Sequence, residues 1–127
     1  MRVTPLNLTV WGKMGNVRTL NVDWIQKIQR CFGSDSVFYT SHAKFEMENE
    51  EFGRILDHEV HEAICTGEVI EEYPEDQPYP SALILGSTKA NRPLHTVVAY
   101  NKEEEMAIII TVYQPDPNRW IEYKRRR

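Results

Sequence analysis

Hydrophobic positions change period once along this chain, separating a helical first half from a strand-rich second half. In "NVDWIQKIQRCFG" (21–33), Val22, Ile25, Ile28 and Phe32 recur at helical spacing, and Gly33 suits the position after a helix end. Upstream, "LNLTVW" alternates like a short strand and Gly15 marks a turn after it. "SVFYT" follows the helix as a short extended piece. Thr40 or Ser41 can cap a second helix through "HAKFEMENEEF", which Gly53 ends or bends. Asp57 then caps "HEVHEAICT", where Val60, Ala63 and Ile64 form one apolar stripe that Gly67 closes.

Beyond Gly67 the period is that of strands. "EVIEEY", "SALILGS", "RPLHTVVAY" and "MAIIITVYQ" read as four strands, joined by "PEDQPYP", "TKAN" and "NKEEE". Successive strands with short links pair antiparallel, so the expected fold is α+β: N-terminal helices on one face of a four-stranded antiparallel meander. If "NKEEE" is a five-residue loop, Tyr100 pairs with Met106, His95 lies opposite Thr111, and Pro93 opposite Tyr113. That register sends Leu94, Val98, Tyr100, Met106, Ile108, Ile110 and Val112 to the core. It leaves His95, Val97, Ala99, Ala107, Ile109, Thr111 and Tyr113 on the second face.

A length of 127 residues is one domain's worth, and 41% hydrophobic with 27% charged residues is a globular composition. The longest apolar run, "MAIII", falls far short of the roughly 18 residues a membrane helix needs. The N-terminus lacks the apolar block of a signal peptide, and two cysteines, Cys31 and Cys65, fit a reducing compartment. A cytoplasmic location is expected, and the sequon at Asn7 is then chance.

The net charge of −4 hides an asymmetry. Residues 41–80 carry twelve acidic side chains against Lys44 and Arg54, whereas basic charge gathers at the two ends, including the "KRRR" tail. A nucleic-acid binder usually shows a basic face, so this layout argues against extensive phosphate contacts along the middle of the chain.

Three constellations carry candidate chemistry. "HEVHE" places His58 and His61 at i and i+3 rather than the i,i+4 spacing of a zinc-protease helix, and an acidic solvated helix start is the simpler reading. "SHAKFEM" sets His42 and Glu46 at i,i+4 on one helix face, where a carboxylate can orient an imidazole for proton transfer or merely form a surface pair. "RPLHTVVAY" with "IIITVYQPD" brings Arg92, a bidentate anion fork, and His95 near the hydroxyls of Thr111 and Tyr113. A wet strand end is the bland alternative. Trp120, in "PDPNRW", is expected to pack the tail against the sheet.

Taken together, "SHAKFEM", "EVHEAICTGEVIEEYP", "PYPSALILG", "RPLHTVVAY" and "IIITVYQPDPNRW" resemble a family of small prokaryotic domains of unknown function, over about residues 38–120. That family is grouped with RelE-like and barnase-like toxin ribonuclease folds, and its members often lie beside small antitoxin-like genes. The resemblance divides the chain into a variable extension (1–37) with one helix, a helices-plus-sheet domain (38–123) and a basic tail (124–127). It implies a metal-independent endoribonuclease without cofactor, with RNA and an antitoxin protein as partners. On that reading His42, steered by Glu46, and His95 handle protons, Arg92 holds the phosphate, and Thr111 and Tyr113 position it. Two alternatives stand beside it. One is a non-enzymatic module binding a protein through its sheet edge or proline loop; the other is a metal-binding protein using His42, Glu46 and His95.

Overall fold

The computed structural model describes residues 16–127, with side chains from Asp23 onward. The strand expected at "LNLTVW" lies outside the described residues. Helix α1 (Asn16–Gly33) starts earlier than its apolar stripe suggests and buries Ile28, Cys31 and Phe32 in the core. Through Ile28, Cys31 and Phe32, α1 shares one core with the later helices and the sheet. Strand β1 (Val37–Tyr39) leads into α2 (Ser41–Glu48), whose first turn is capped by the Thr40 hydroxyl accepting from the Ala43 N–H at 3.1 Å. Helix α2 stops at Asn49, before the expected end at Gly53. Helix α3 (Asp57–Cys65) buries Val60, Ala63 and Ile64, the stripe expected from spacing; Asp57 is its first residue, with Leu56 in the capping position.

Four further strands complete the sheet: β2 (Glu68–Tyr73), β3 (Ser81–Ser87), β4 (Pro93–Asn101) and β5 (Met106–Tyr113). They form the expected meander, but the sheet has five strands, not four, in the order β1-β5-β4-β3-β2. The fifth is β1, which pairs parallel with β5, Phe38 opposite Ile108. Parallel pairing needs a long connection rather than a hairpin, and residues 40–105 supply it. A separate hairpin of β6 (Trp120–Ile121) and β7 (Arg125–Arg126) ends the chain.

The β4–β5 register also differs from expectation. The loop is one residue shorter, so Asn101 pairs with Met106 and Tyr100 with Ala107. A bulge at Ile110 then shifts the pairing again, placing His95 opposite Tyr113 and Val97 opposite Thr111. Ala107 and Ile109 consequently join the helix-side core with Leu94, Val98 and Val112, while Met106, Ile108 and Ile110 do not. The helices cover this face tightly. Gly86 on β3 meets the backbone of α3, and a Cβ there would lie 1.8 Å from the Ala63 carbonyl oxygen. Odd-numbered β4 residues look the other way, onto a face that the β6–β7 hairpin partly roofs.

Candidate functional site

His95 occupies that second face and is fully buried. Its Nε2 lies 2.6 Å from the Tyr123 carbonyl oxygen, which can only accept, so Nε2 carries the proton. The Nδ1 lone pair is then free to accept the Tyr113 O–H at 3.0 Å. Trp120 stands edge-on to the imidazole, ring centres 4.4 Å apart. Burial pushes the His95 pKa below its ordinary value, against the raising effect of the Tyr123 carbonyl, so the ring is neutral near pH 7. Burial likewise raises the Tyr113 hydroxyl pKa, so it stays a donor.

A second polar group adjoins the first. The β2 register sets Glu71 opposite Leu83 and Tyr73 opposite Ser81, on the same side as His95. The Arg126 guanidinium grips Glu71 with two bonds, Nε to Oε2 at 3.0 Å and Nη2 to Oε1 at 3.1 Å, and lies 4.7 Å from the Trp120 ring centre. The Tyr73 hydroxyl donates to Glu71 at 2.6 Å, and burial followed by that carboxylate pushes its pKa up to about 12. Arg126 in turn holds the Glu71 carboxyl below the usual carboxylate range.

Tyr113 and Trp120 open onto a pocket of about 530 Å³ shared by Arg119, Arg126 and Arg127 with Glu50, Glu51 and Asp116. Two of those acids already serve the backbone: Glu50 accepts the N–H groups of Gln114 and Phe52, and Asp116 accepts that of Asn118.

The other sequence candidates stand elsewhere. His42 is largely exposed on α2 and pairs with Glu46 at 3.2 Å. Glu46 also accepts the Val112 N–H at 3.2 Å, so it secures the β5 edge that β1 leaves open. Arg92 is not offered to a ligand. Its guanidinium donates to Gln114 at 2.7 Å, the Arg54 carbonyl at 3.0 Å, Glu59 at 3.2 Å and the Gly53 carbonyl. Arg92 thus ties α3 and the segment before it to the end of β5. Thr111 shares the His95 face but lies one row along, opposite Val97.

Of the residues singled out by sequence, His95 and Tyr113 come together, while His42, Glu46 and Arg92 share no hydrogen-bond partner with them. Glu71, Tyr73 and Arg126 were missed. The alternation of "EVIEEY" could have paired the first two, but nothing in "KRRR" says which cation turns inward.

Among the described residues, no three His, Cys, Asp or Glu side chains gather as a metal ion needs, so His42, Glu46 and His95 do not form a ligand set. No helix among them is long and apolar enough to cross a membrane.

Residues 39–114 match the family described as Domain of unknown function (DUF4258). The chain belongs to that family. No curated protein sequence and no solved structure matches the chain. The matched segment of this DUF4258 protein runs from the last residue of β1 to just past β5. It includes His95 and Tyr113 but ends before the hairpin that supplies Trp120, Tyr123 and Arg126.

Proposed function

We propose that this DUF4258 protein is a small metal-independent endoribonuclease, related to the RelE-like and barnase-like toxin folds and held in check by an antitoxin protein. The supporting observation is a neutral imidazole of fixed tautomer whose Nδ1 accepts the Tyr113 hydroxyl at 3.0 Å, with Tyr113 itself lining a pocket that three arginines share with three carboxylates. Such a pair can move a proton without a metal. Tyr113 removes the ribose 2′-hydroxyl proton as its own passes to His95 Nδ1. The 2′-oxygen attacks phosphorus, and the 5′-oxygen leaves with a proton from solvent, giving a 2′,3′-cyclic phosphate and a 5′-hydroxyl. The imidazolium then returns its proton through Tyr113. His42 and Glu46 have no role in this scheme, and the anion-binding task assigned to Arg92 passes to the arginines of the hairpin. A cytoplasmic setting accords with two unpaired cysteines, Cys31 buried and Cys65 exposed.

End-labelled RNA incubated with the purified protein and chelator tests the reading. Cyclic-phosphate ends are expected, formed at least about a hundredfold more slowly by Tyr113→Phe and by His95→Gln, the range typical of lost acid–base catalysis. Absence of cleavage by folded wild-type protein, or unchanged rates in both variants, would overturn it.

A second reading rests on Phe38 and Phe45, large apolar side chains that are 55% and 67% exposed on β1 and α2. Together they would serve a non-enzymatic module that binds a partner protein. A co-purifying protein lost on Phe45→Asp, with no RNA cleavage, would favour it.

A further inference from the structure

His95 cannot touch a substrate as it stands, because it is fully buried and both ring nitrogens are engaged. Its roof is the β6–β7 hairpin, which pairs with no strand of the main sheet. Trp120 anchors it, and two ion pairs tether it to β2: Arg126 to Glu71, and Lys124 to Glu68 at 3.1 Å. Between its strands, Glu122 and Tyr123 both hold left-handed backbone angles, φ 54° and 62°. Two left-handed residues in succession are what a tight hairpin turn requires, and Lys124 N–H closes it on the Ile121 carbonyl at 3.0 Å, so the hairpin can move as one piece.

We infer that Arg126 is the phosphate-binding group of this site, that Glu71 occupies its guanidinium as an internal stand-in anion, and that an RNA strand taking Glu71's place draws the hairpin off His95. This rests on the ribonuclease reading above. The two-bond grip of Arg126 on Glu71 is the geometry in which a guanidinium also takes a phosphate. The Arg126 side chain is 64% exposed, so an incoming anion can reach it without unfolding the core. Arg119 and Arg127 line the same pocket and extend the cationic track. One exchange of anions therefore loads the substrate beside Tyr113, which already borders the pocket, and loosens the roof over His95.

Two measurements on the full chain test this. The first is the affinity of a 2′-O-methyl oligouridylate, which lacks the attacking hydroxyl and cannot be cleaved. The second is the rate at which diethyl pyrocarbonate modifies His95 without RNA, scaled to the exposed His42 and His58. Glu71→Gln keeps the shape and the Tyr73 bond but frees Arg126. It is expected to bind the oligonucleotide about threefold more tightly and to speed His95 modification by a similar factor, as loss of a half-exposed ion pair implies. Glu72→Gln, an equal charge change at an exposed neighbour on β2, should alter neither quantity. Arg126→Gln should weaken binding about tenfold, beyond the loss of one unit of general attraction. Equal behaviour of Glu71→Gln and Glu72→Gln, or unaltered binding by Arg126→Gln, overturns the inference. If the variants behave as expected while wild-type protein leaves RNA intact, the anion site stands and the ribonuclease reading falls. If wild-type protein cleaves RNA and the variants bind alike, the reverse holds.

Discussion

Replacing Arg92 with alanine separates a structural arginine from a substrate-binding one. In the fold its side chain is only 16% exposed and its partner Glu59 15%. Truncation leaves the Glu59 carboxylate with the Leu56 N–H alone, and strips the Gln114 side chain and the Gly53 and Arg54 carbonyls of their donor. Breaking a buried ion pair from one side costs about 3–5 kcal/mol, and the two carbonyls can regain water, so the low end, about 3 kcal/mol, applies. With a urea slope of ~2 kcal/mol/M, the unfolding midpoint should drop by roughly 1.5 M. Adding Glu59→Gln removes the stranded charge and should restore about 1 kcal/mol, although neither substitution alone is harmless. Urea titrations followed by far-ultraviolet circular dichroism measure both numbers. A midpoint shift below about 0.3 M, accompanied by lost oligonucleotide binding, would refute the reasoning and return Arg92 to the substrate.

Two further predictions concern packing and pH. Gly86→Ala forces a methyl group into the Ala63 backbone, and because neither side is a flexible chain end the cost should be about 3 kcal/mol, lowering Tm by roughly 10 °C. A melting curve within about 2 °C of wild type would mean that α3 does not approach β3 this closely. Since burial holds the His95 pKa below 6.5 in the fold, the unfolded chain takes its proton first as the solution is acidified. The stability from this group is therefore complete above the unfolded value and is lost as pH falls through 6.5 toward the lower folded value. Urea midpoints at several pH values should show wild type losing more than His95→Gln over that window; parallel curves would place His95 in water.

The helices and the meander were legible because period and punctuation agreed. β2 and β3 have the bounds that alternation and their flanking Gly, Pro and Ser residues suggest. The fifth strand was not legible in the same way. "SVFYT" reads as extended, but three residues carry no information about a partner 70 positions away. The bulge on β5 was hidden because "MAIII" is apolar at both parities, so neither register offends the pattern. His95 and Tyr113 were found through side-chain chemistry and kept a common face despite the register error, since the bulge adds a second one-residue shift. Arg92 and His95 illustrate the opposite. They are close in sequence but an odd number of positions apart, and a period of two sends such residues to opposite faces of a strand. His42 and Glu46 do form the expected helical pair, yet the carboxylate's deciding partner is a β5 backbone N–H that no local spacing reveals.

The charge asymmetry of the chain takes a different meaning in the folded molecule. Its acidic middle and basic tail look like separate regions, yet the fold lays Glu68 and Glu71 from the first against Lys124 and Arg126 from the second. Each pair is partly exposed and contributes little by itself, about 0.2–1 kcal/mol. They act on the least secured element, a two-residue hairpin whose main apolar anchor is Trp120. The helix-covered face holds most of the buried aliphatic side chains and so most of the stability. The His95 face can therefore open without global unfolding, as the low-stability parts of a fold do. Ionic strength should then act on the two faces unequally. Salt weakens the tethers far more than the aliphatic core, so exposure of His95 must rise with salt well before the unfolding midpoint moves. A roof held by one buried tryptophan and two exposed ion pairs can respond to an anion through the ion pairs while the apolar scaffold beneath it stays packed.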